Sequence, residues 1–257
     1  LFRSINDHDS DINSILYDYG FNINFTKKIK KELTLLEKKI TKKEITVRKD
    51  IRSTTTFTID PVDAKDFDDA LSVKKLTNKN WEVGVHIADV SHYVKKGSAI
   101  DKEALSRACS VYMVDRVVPM LPEILSNNIC SLSPNEDKLT FSVFFELDNK
   151  ANILNYKIKK TIINSDFRFT YDSAQNIINN KKGKFYKELL LLHNFSKILK
   201  KRREKEGSIN FESSEVKFIL DDNKNPIDTF IKNNLSSNKL IEEFMLLANK
   251  TVAKHIH

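Results

Sequence analysis

Glycine is scarce in this chain, with 5 in 257 residues. A Gly-rich loop that cradles nucleotide phosphates therefore has little material, and neither a Walker-type loop nor a Gly-x-Ser-x-Gly nucleophile elbow occurs. Cysteine is scarcer still. Cys109 and Cys130 are the only two, and no Cys-x-x-Cys pair exists. That excludes a disulfide framework and favours a reducing compartment. No window reaches 18 apolar residues, so no membrane span is expected. No charged-then-apolar leader opens the chain. The expected setting is the cytoplasm, without membrane partner or small-molecule cofactor.

What is abundant is charge. Charged residues make up 30% of the chain and hydrophobic ones 40%, enough for a core of one or two domains. The net charge of +8 fits a polyanionic partner. It is clustered: residues 27–52 hold eleven Lys/Arg against four acids, and residues 181–206 hold ten against three, a net +7 in each. Such stretches can track a phosphate backbone. Lysine is common throughout, however, and solvated helix faces account for the same pattern equally well.

Against this basic background, five aspartates fall within ten residues: Asp60, Asp63, Asp66, Asp68 and Asp69. Crowded carboxylates raise one another's pKa, and a divalent cation relieves that repulsion. Mg²⁺ takes carboxylate oxygens, keeps several waters and commonly adds substrate phosphate oxygens. The cluster thus points to metal-assisted chemistry on a phosphate. A solvated acidic turn without a ligand is the plainer alternative.

The flanking residues frame the cluster. Residues 54–60 are β-branched and aromatic and read as a strand that stops at Pro61. Residues 70–76 and 81–90 read as the next two strands, joined by the polar turn Thr77-Asn78-Lys79-Asn80. An EF-hand loop would need Gly at position 6 and Glu at position 12. Counted from Asp60, those positions are Lys65 and Leu71, so calcium-loop geometry fails. His86 and His92 match no common metal spacing and are expected to be structural.

Residues 58–70, Thr-Ile-Asp-Pro-Val-Asp-Ala-Lys-Asp-Phe-Asp-Asp-Ala, resemble the signature of the catalytic (RNB) domain of RNase II / RNase R family exoribonucleases. Further segments follow in the family's order: Gly84-Val85-His86-Ile87-Ala88-Asp89, Ser110-Val111-Tyr112, Asp115-Arg116-Val117-Val118-Pro119, Cys130-Ser131-Leu132-Ser133-Pro134, Phe169-Thr170-Tyr171, Gly207-Ser208-Ile209-Asn210-Phe211 and Ile241-Glu242-Glu243-Phe244-Met245. The likeness runs from about Asp50 to the end, and its wording is closer to RNase R than to RNase II.

The resemblance implies processive 3′→5′ hydrolysis of single-stranded RNA to nucleoside 5′-monophosphates with Mg²⁺. It implies that Asp60, Asp66, Asp68 and Asp69 form the metal and catalytic centre, with Asp60 and Asp69 as the firmest ligands and Asp68 closest to the chemical step. Asp63 matches no metal position. Tyr112 and Tyr171 would clamp the last nucleotides, since aromatic rings stack on bases of any identity; ordinary burial of a tyrosine is the alternative. One of Glu242 and Glu243 would contact the terminal nucleotide, unless both are helix first-turn acids favoured by the macrodipole.

The expected architecture is α+β, a mixed sheet with packed helices. Residues 1–50 read as a helical connector, with Asp9-Ser10 capping a first helix through Tyr17 and a second helix over 26–43. Residues 51–257 read as the N-terminal part of the RNB domain: strands to about 163, helices over 173–206 interrupted at 179–183, extended structure over 208–231, and a last helix capped by Ser236-Ser237-Asn238. The resemblance also implies cold-shock-like and S1-like RNA-binding domains on either side, and a later Ser-Pro-Ile-Arg-Arg-Tyr segment whose arginine stabilises phosphate charge. None of these occurs in the 257 residues. The chain is therefore expected to be part of a longer enzyme with little turnover alone; a non-catalytic RNA-binding remnant is the alternative.

Overall fold

The computed structural model describes residues 8–209, 215–222, 225–232 and 234–257. In chain order they form α1 (His8–Asp18), α2 (Lys27–Thr34), α3 (Lys42–Val47), β1 (Lys49–Asp50), β2 (Thr56–Asp60), β3 (Asp69–Lys75), β4 (Trp81–Ala88), α4 (Val90–Tyr93) and α5 (Ala99–Arg107). Then come β5 (Val111–Tyr112), β6 (Val117–Val118), β7 (Asp137–Leu147), β8 (Ile153–Asn164), β9 (Phe167–Thr170), α6 (Tyr171–Asn180), α7 (Tyr186–Lys205), β10 (Glu215–Leu220), β11 (Pro226–Lys232) and α8 (Ser236–Ile256). The arrangement is α+β, as expected.

Two compact units divide the chain. The larger comprises residues 39–89, 126–216 and 231–257. Its seven-stranded sheet has the order β1-β8-β7-β4-β3-β2-β9. The β2/β3, β3/β4, β4/β7 and β7/β8 pairs are antiparallel, and β1/β8 and β2/β9 are parallel, so the sheet is mixed.

Successive side chains of a strand point to opposite faces, and β2 shows why that matters. Phe57 and Ile59 enter the core with Leu71, Val85, Val143 and Phe145 of neighbouring strands. Over them lie Ala174 and Ile178 of α6, Leu189, Leu192 and Phe195 of α7, and Leu240, Phe244 and Ala248 of α8. Thr56, Thr58 and Asp60 alternate with these apolar residues, yet all three are buried as well. The strand lies between β3 and β9, so both of its edges are paired, and the burial of Thr56, Thr58 and Asp60 shows that its second face is covered too.

The second face of the sheet is buried and polar. The His86 ring nitrogens contact the hydroxyls of Ser142 (2.7 Å) and Ser72 (2.8 Å). Ser142 and Thr140 each lie 2.5 Å from the Thr161 hydroxyl. His86 therefore has the structural role expected of it.

The smaller unit comprises residues 1–38, 90–125 and 217–230. Glu32 of α2 accepts the Ile100 backbone N–H at the start of α5. The Arg107 guanidinium stacks 4.1 Å from the Phe25 ring centroid. β5 and β6 pair as a short ribbon, and β10 and β11 pair with each other.

Four local expectations change. Asp9 and Ser10 lie inside α1, which includes His8, and so do not cap it. The helix expected over 26–43 stops at Thr34, residues 35–41 are not helical, and Thr41 caps α3 by accepting the Glu44 N–H at 3.2 Å. Thr41-Lys42-Lys43-Glu44 has the capping-box spelling and begins a new helix where the apolar period suggested continuation. α5 interrupts the region read as strands, and its Ser98 accepts the Asp101 N–H as an N-cap. At α8, Ser236 is the first helical residue and Leu235 holds the cap position, its N–H bonded to Asn238 Oδ1 at 2.9 Å. Residues 210–214 and 223–224, within the stretch read as extended, lie outside the described residues; Asn210 and Phe211 are among them.

Candidate active site

The aspartate loop leaves the sheet at Asp60, the last residue of β2, and returns at Asp69, the first of β3. Asp66 and Asp68 lie on the loop between them. The four carboxylates share one electrostatic environment. Burial pushes the Asp60 carboxyl up to about 6; Thr58 and Arg168 pull it back, and Asp68 and Asp66 push it further. Asp69 is pushed up to about 7 by burial, then by Asp60 and Asp68. Asp68 is raised by burial and by Asp66.

The buried polar atoms around Asp60 are incompletely satisfied. Asp60 Oδ2, Thr58 Oγ1 and Arg168 Nε are all buried without a hydrogen-bond partner. The Thr58 hydroxyl is near enough to lower the Asp60 pKa but does not reach hydrogen-bond geometry with it. All three sit on adjacent strands, since Thr58 registers with Arg168 and Asp60 with Thr170. An orphaned buried carboxylate oxygen is costly, and it needs an occupant.

Tyr171 joins this group. It opens α6 directly after Thr170, and its hydroxyl is pushed up to about 12 by burial and then by Asp69 and Asp60. Its backbone is anchored as well, because Ser237 Oγ donates to the Tyr171 carbonyl at 2.8 Å. Tyr112 lies on β5 in the smaller unit, where its side chain is exposed.

Glu242 and Glu243 stand on α8 in different settings. Glu243 is buried and 2.7 Å from Arg203 Nη2. Glu242 is half exposed and 3.8 Å from the same nitrogen.

Two residues outside the expected set also touch the loop. Arg168 of β9 donates to the carbonyls of Pro61 and Val62. Ser131 Oγ donates to the Lys65 carbonyl and accepts from the Phe67 N–H. The signal for Ser131 was available in the Cys-Ser-Leu-Ser-Pro segment. Arg168 had none beyond standing three residues before Tyr171.

The donor set fits a hard divalent cation. It consists of carboxylate oxygens alone, one of them orphaned, with the pKa values of three carboxyls raised together. Among the described residues, no three side chains already converge as a finished ligand cage. Mg²⁺ is bound through one or two carboxylates plus water and substrate phosphate, so a full protein cage is not required. No helix among the described residues is long and apolar enough to cross a membrane.

With this geometry in place, comparison with known proteins is decisive. The RNB domain model matches residues 48–257. The chain belongs to the RNB domain family. Among the RNB relatives, Ribonuclease R 2 of Lactococcus lactis is 42% identical over 253 residues, covering 95% of this chain and 38% of that protein. Ribonuclease R of Thermotoga maritima is 44% identical over 236 residues, covering 90% of this chain and 33% of that protein. The solved structure of Mycoplasma genitalium RNase R in complex with ribose methylated single-stranded RNA superposes with a TM-score of 0.91 at 30% identity, covering 98% of this chain and 40% of that one. The chain thus spans less than two fifths of these curated relatives' length, and both of them are named as ribonucleases.

Proposed function

We propose that this chain carries the aspartate centre of a Mg²⁺-dependent exoribonuclease that removes nucleotides processively from the 3′ end of single-stranded RNA as nucleoside 5′-monophosphates. The observation that supports the reading is the charge coupling of Asp60, Asp66, Asp68 and Asp69 beside the buried, orphaned Asp60 carboxylate oxygen in an RNB domain. Fold alone does not decide function, so the argument rests on the site.

Asp60 and Asp69 would hold Mg²⁺, with Asp66 and Asp68 completing the donor set. The bound ion would polarise the scissile phosphate, favour hydroxide near neutral pH and stabilise the leaving oxygen. Asp68 orients the attacking water, whose oxygen bonds to phosphorus as the P–O3′ bond breaks. Tyr171, at the start of α6 and in the field of Asp69 and Asp60, would offer a ring against the terminal bases. Tyr112, whose side chain is exposed, would offer a further ring for a base, as the family resemblance implies. One of Glu242 and Glu243 would contact the terminal nucleotide, and Arg203 holds the buried Glu243 in place.

Residues 1–50 act as a connector, and residues 51–257 as the N-terminal part of the catalytic domain. RNA-binding domains and an arginine-bearing segment from a longer polypeptide would complete the enzyme, and the 257 residues alone would turn over little. Two cysteines without a disulfide suit the cytoplasm.

The test is Asp68→Asn in the complete protein, with a uniformly labelled single-stranded RNA in Mg²⁺ and in EDTA. Mononucleotide release should require Mg²⁺ and disappear in the variant, while RNA affinity stays within about threefold. Surviving turnover would remove Asp68 from the chemical step. Absence of Mg²⁺-dependent degradation by the unsubstituted protein would favour a non-catalytic RNA binder.

A further inference from the structure

The aspartate loop does not hold its own shape. The β2/β3 ladder registers Thr56 with Ser72 and Phe57 with Leu71, and the two strands part before Asp60 and Asp69 are reached. Within the loop, one backbone bond closes a turn, from the Ala64 N–H to the Pro61 carbonyl at 3.2 Å. Four carboxylates on a segment with so little internal bonding repel one another and would spread it apart. Something outside the loop has to set its course.

We propose that Arg168 and Ser131 are positioning residues that fasten the two halves of the aspartate loop and so keep its carboxylates gathered for the cation. This rests on the functional reading above and deepens it.

Arg168 governs the first half. From β9 it reaches across to donate to the carbonyls of Pro61 and Val62, the two residues that follow Asp60. Its guanidinium also lies 5.2 Å from the ring centroid of Phe67, which precedes Asp68 and Asp69. One planar group therefore grips both ends of the loop. A guanidinium can hold two carbonyls and an aromatic face together; a lysine ammonium cannot reproduce that fork. Arg168 is also the cation that acts on Asp60.

Ser131 governs the second half. Its fully buried hydroxyl donates to the Lys65 carbonyl at 2.9 Å and accepts from the Phe67 N–H at 3.0 Å. A hydroxyl is donor and acceptor at once, so one atom pins the backbone on both sides of Asp66. The next residue continues the clamp, with the Leu132 N–H donating to the Phe67 carbonyl at 2.8 Å. The Ala88 N–H then takes the Asp68 carbonyl at 2.9 Å and returns the chain to the sheet.

The test is Mn²⁺ binding to the complete protein, followed by electron paramagnetic resonance, with thermal melting measured in parallel. Arg168→Lys, Arg168→Gln and Ser131→Ala are compared with Arg202→Gln. Arg202 donates to the Ala151 carbonyl in the β7–β8 turn and serves as a structural control. Arg168→Gln and Ser131→Ala should weaken Mn²⁺ binding at least tenfold, and Arg202→Gln should leave it within twofold. Arg168→Lys keeps the charge but loses the fork; it should melt close to the unsubstituted protein and still bind Mn²⁺ at least fivefold more weakly. Should Arg168→Gln fail to fold, Arg168→Lys and Ser131→Ala decide. Mn²⁺ affinity unchanged in those two would overturn the proposal while leaving the functional reading intact. Absence of Mn²⁺ binding by the unsubstituted protein would overturn both.

Discussion

His86 Nε2 lies 2.8 Å from Ser72 Oγ, and Gly84 keeps the space beside that contact open. A Cβ at position 84 would fall 2.5 Å from the Ser72 hydroxyl and 2.6 Å from His86 Cε1 and Nε2. Both neighbours are buried and held by hydrogen bonds, so neither can move aside cheaply. Gly84→Ala should lower stability by about 1–3 kcal/mol through overpacking. A denaturant midpoint unchanged from the unsubstituted protein would show that the polar layer can relax.

His86 also sets an acid limit on stability. Burial, and then Lys49, push its pKa down to about 3, whereas an exposed histidine in the unfolded chain titrates near 6.5. Between those values the unfolded chain binds the extra proton, so stability falls as pH drops through the window. The loss should be on the order of several kcal/mol across the full range. Chemical denaturation at a series of pH values would measure it, and His86→Gln should flatten the profile.

Asp69 gives the opposite sign. Burial, Asp60 and Asp68 hold its folded pKa up to about 7, above the unfolded value of about 4. The unfolded chain releases this proton first, so metal-free stability falls as pH rises from about 4 to about 7. In EDTA at pH 8, Asp69→Asn should therefore melt higher than the unsubstituted protein. In Mg²⁺ the order should reverse, because the variant cannot use the cation that relieves the cluster. Melting curves of both proteins with and without Mg²⁺ test this; parallel shifts would count against Asp69 as a ligand.

Arg203 and Glu243 form a 2.7 Å ion pair whose carboxylate side is buried. Replacing only the arginine, as in Arg203→Met, strands that charge, and stability should drop by about 2–4 kcal/mol. Arg203→Met combined with Glu243→Leu should recover most of the loss. A double variant no more stable than the single one would mean that packing, rather than the stranded charge, dominates.

Much of the sheet was legible in the sequence. The β-branched and aromatic run over 54–60 marks a strand because that preference is local, and Pro61 ends it for a reason carried by proline itself. The break between α6 and α7 was legible for a similar reason, since Asn179–Gly183 interrupts the helical period. The break between α2 and α3 was missed, because lysines and leucines keep a helical spacing across a cap that a single threonine decides.

The sequence by itself determined which groups are present: the carboxylates, their spacing, the strands on either side and the RNB character of the whole run. Only the tertiary structure decided how they are used. It buried Asp60 and Asp69 enough to raise their pKa values, placed Tyr171 in their field, and brought Arg168 and Ser131 onto a loop more than 60 residues away in sequence. The physical reason is range. Strand period and turn chemistry act between neighbours along the chain, whereas desolvation, charge coupling and hydrogen bonds across a sheet depend on which distant segments packing brings together.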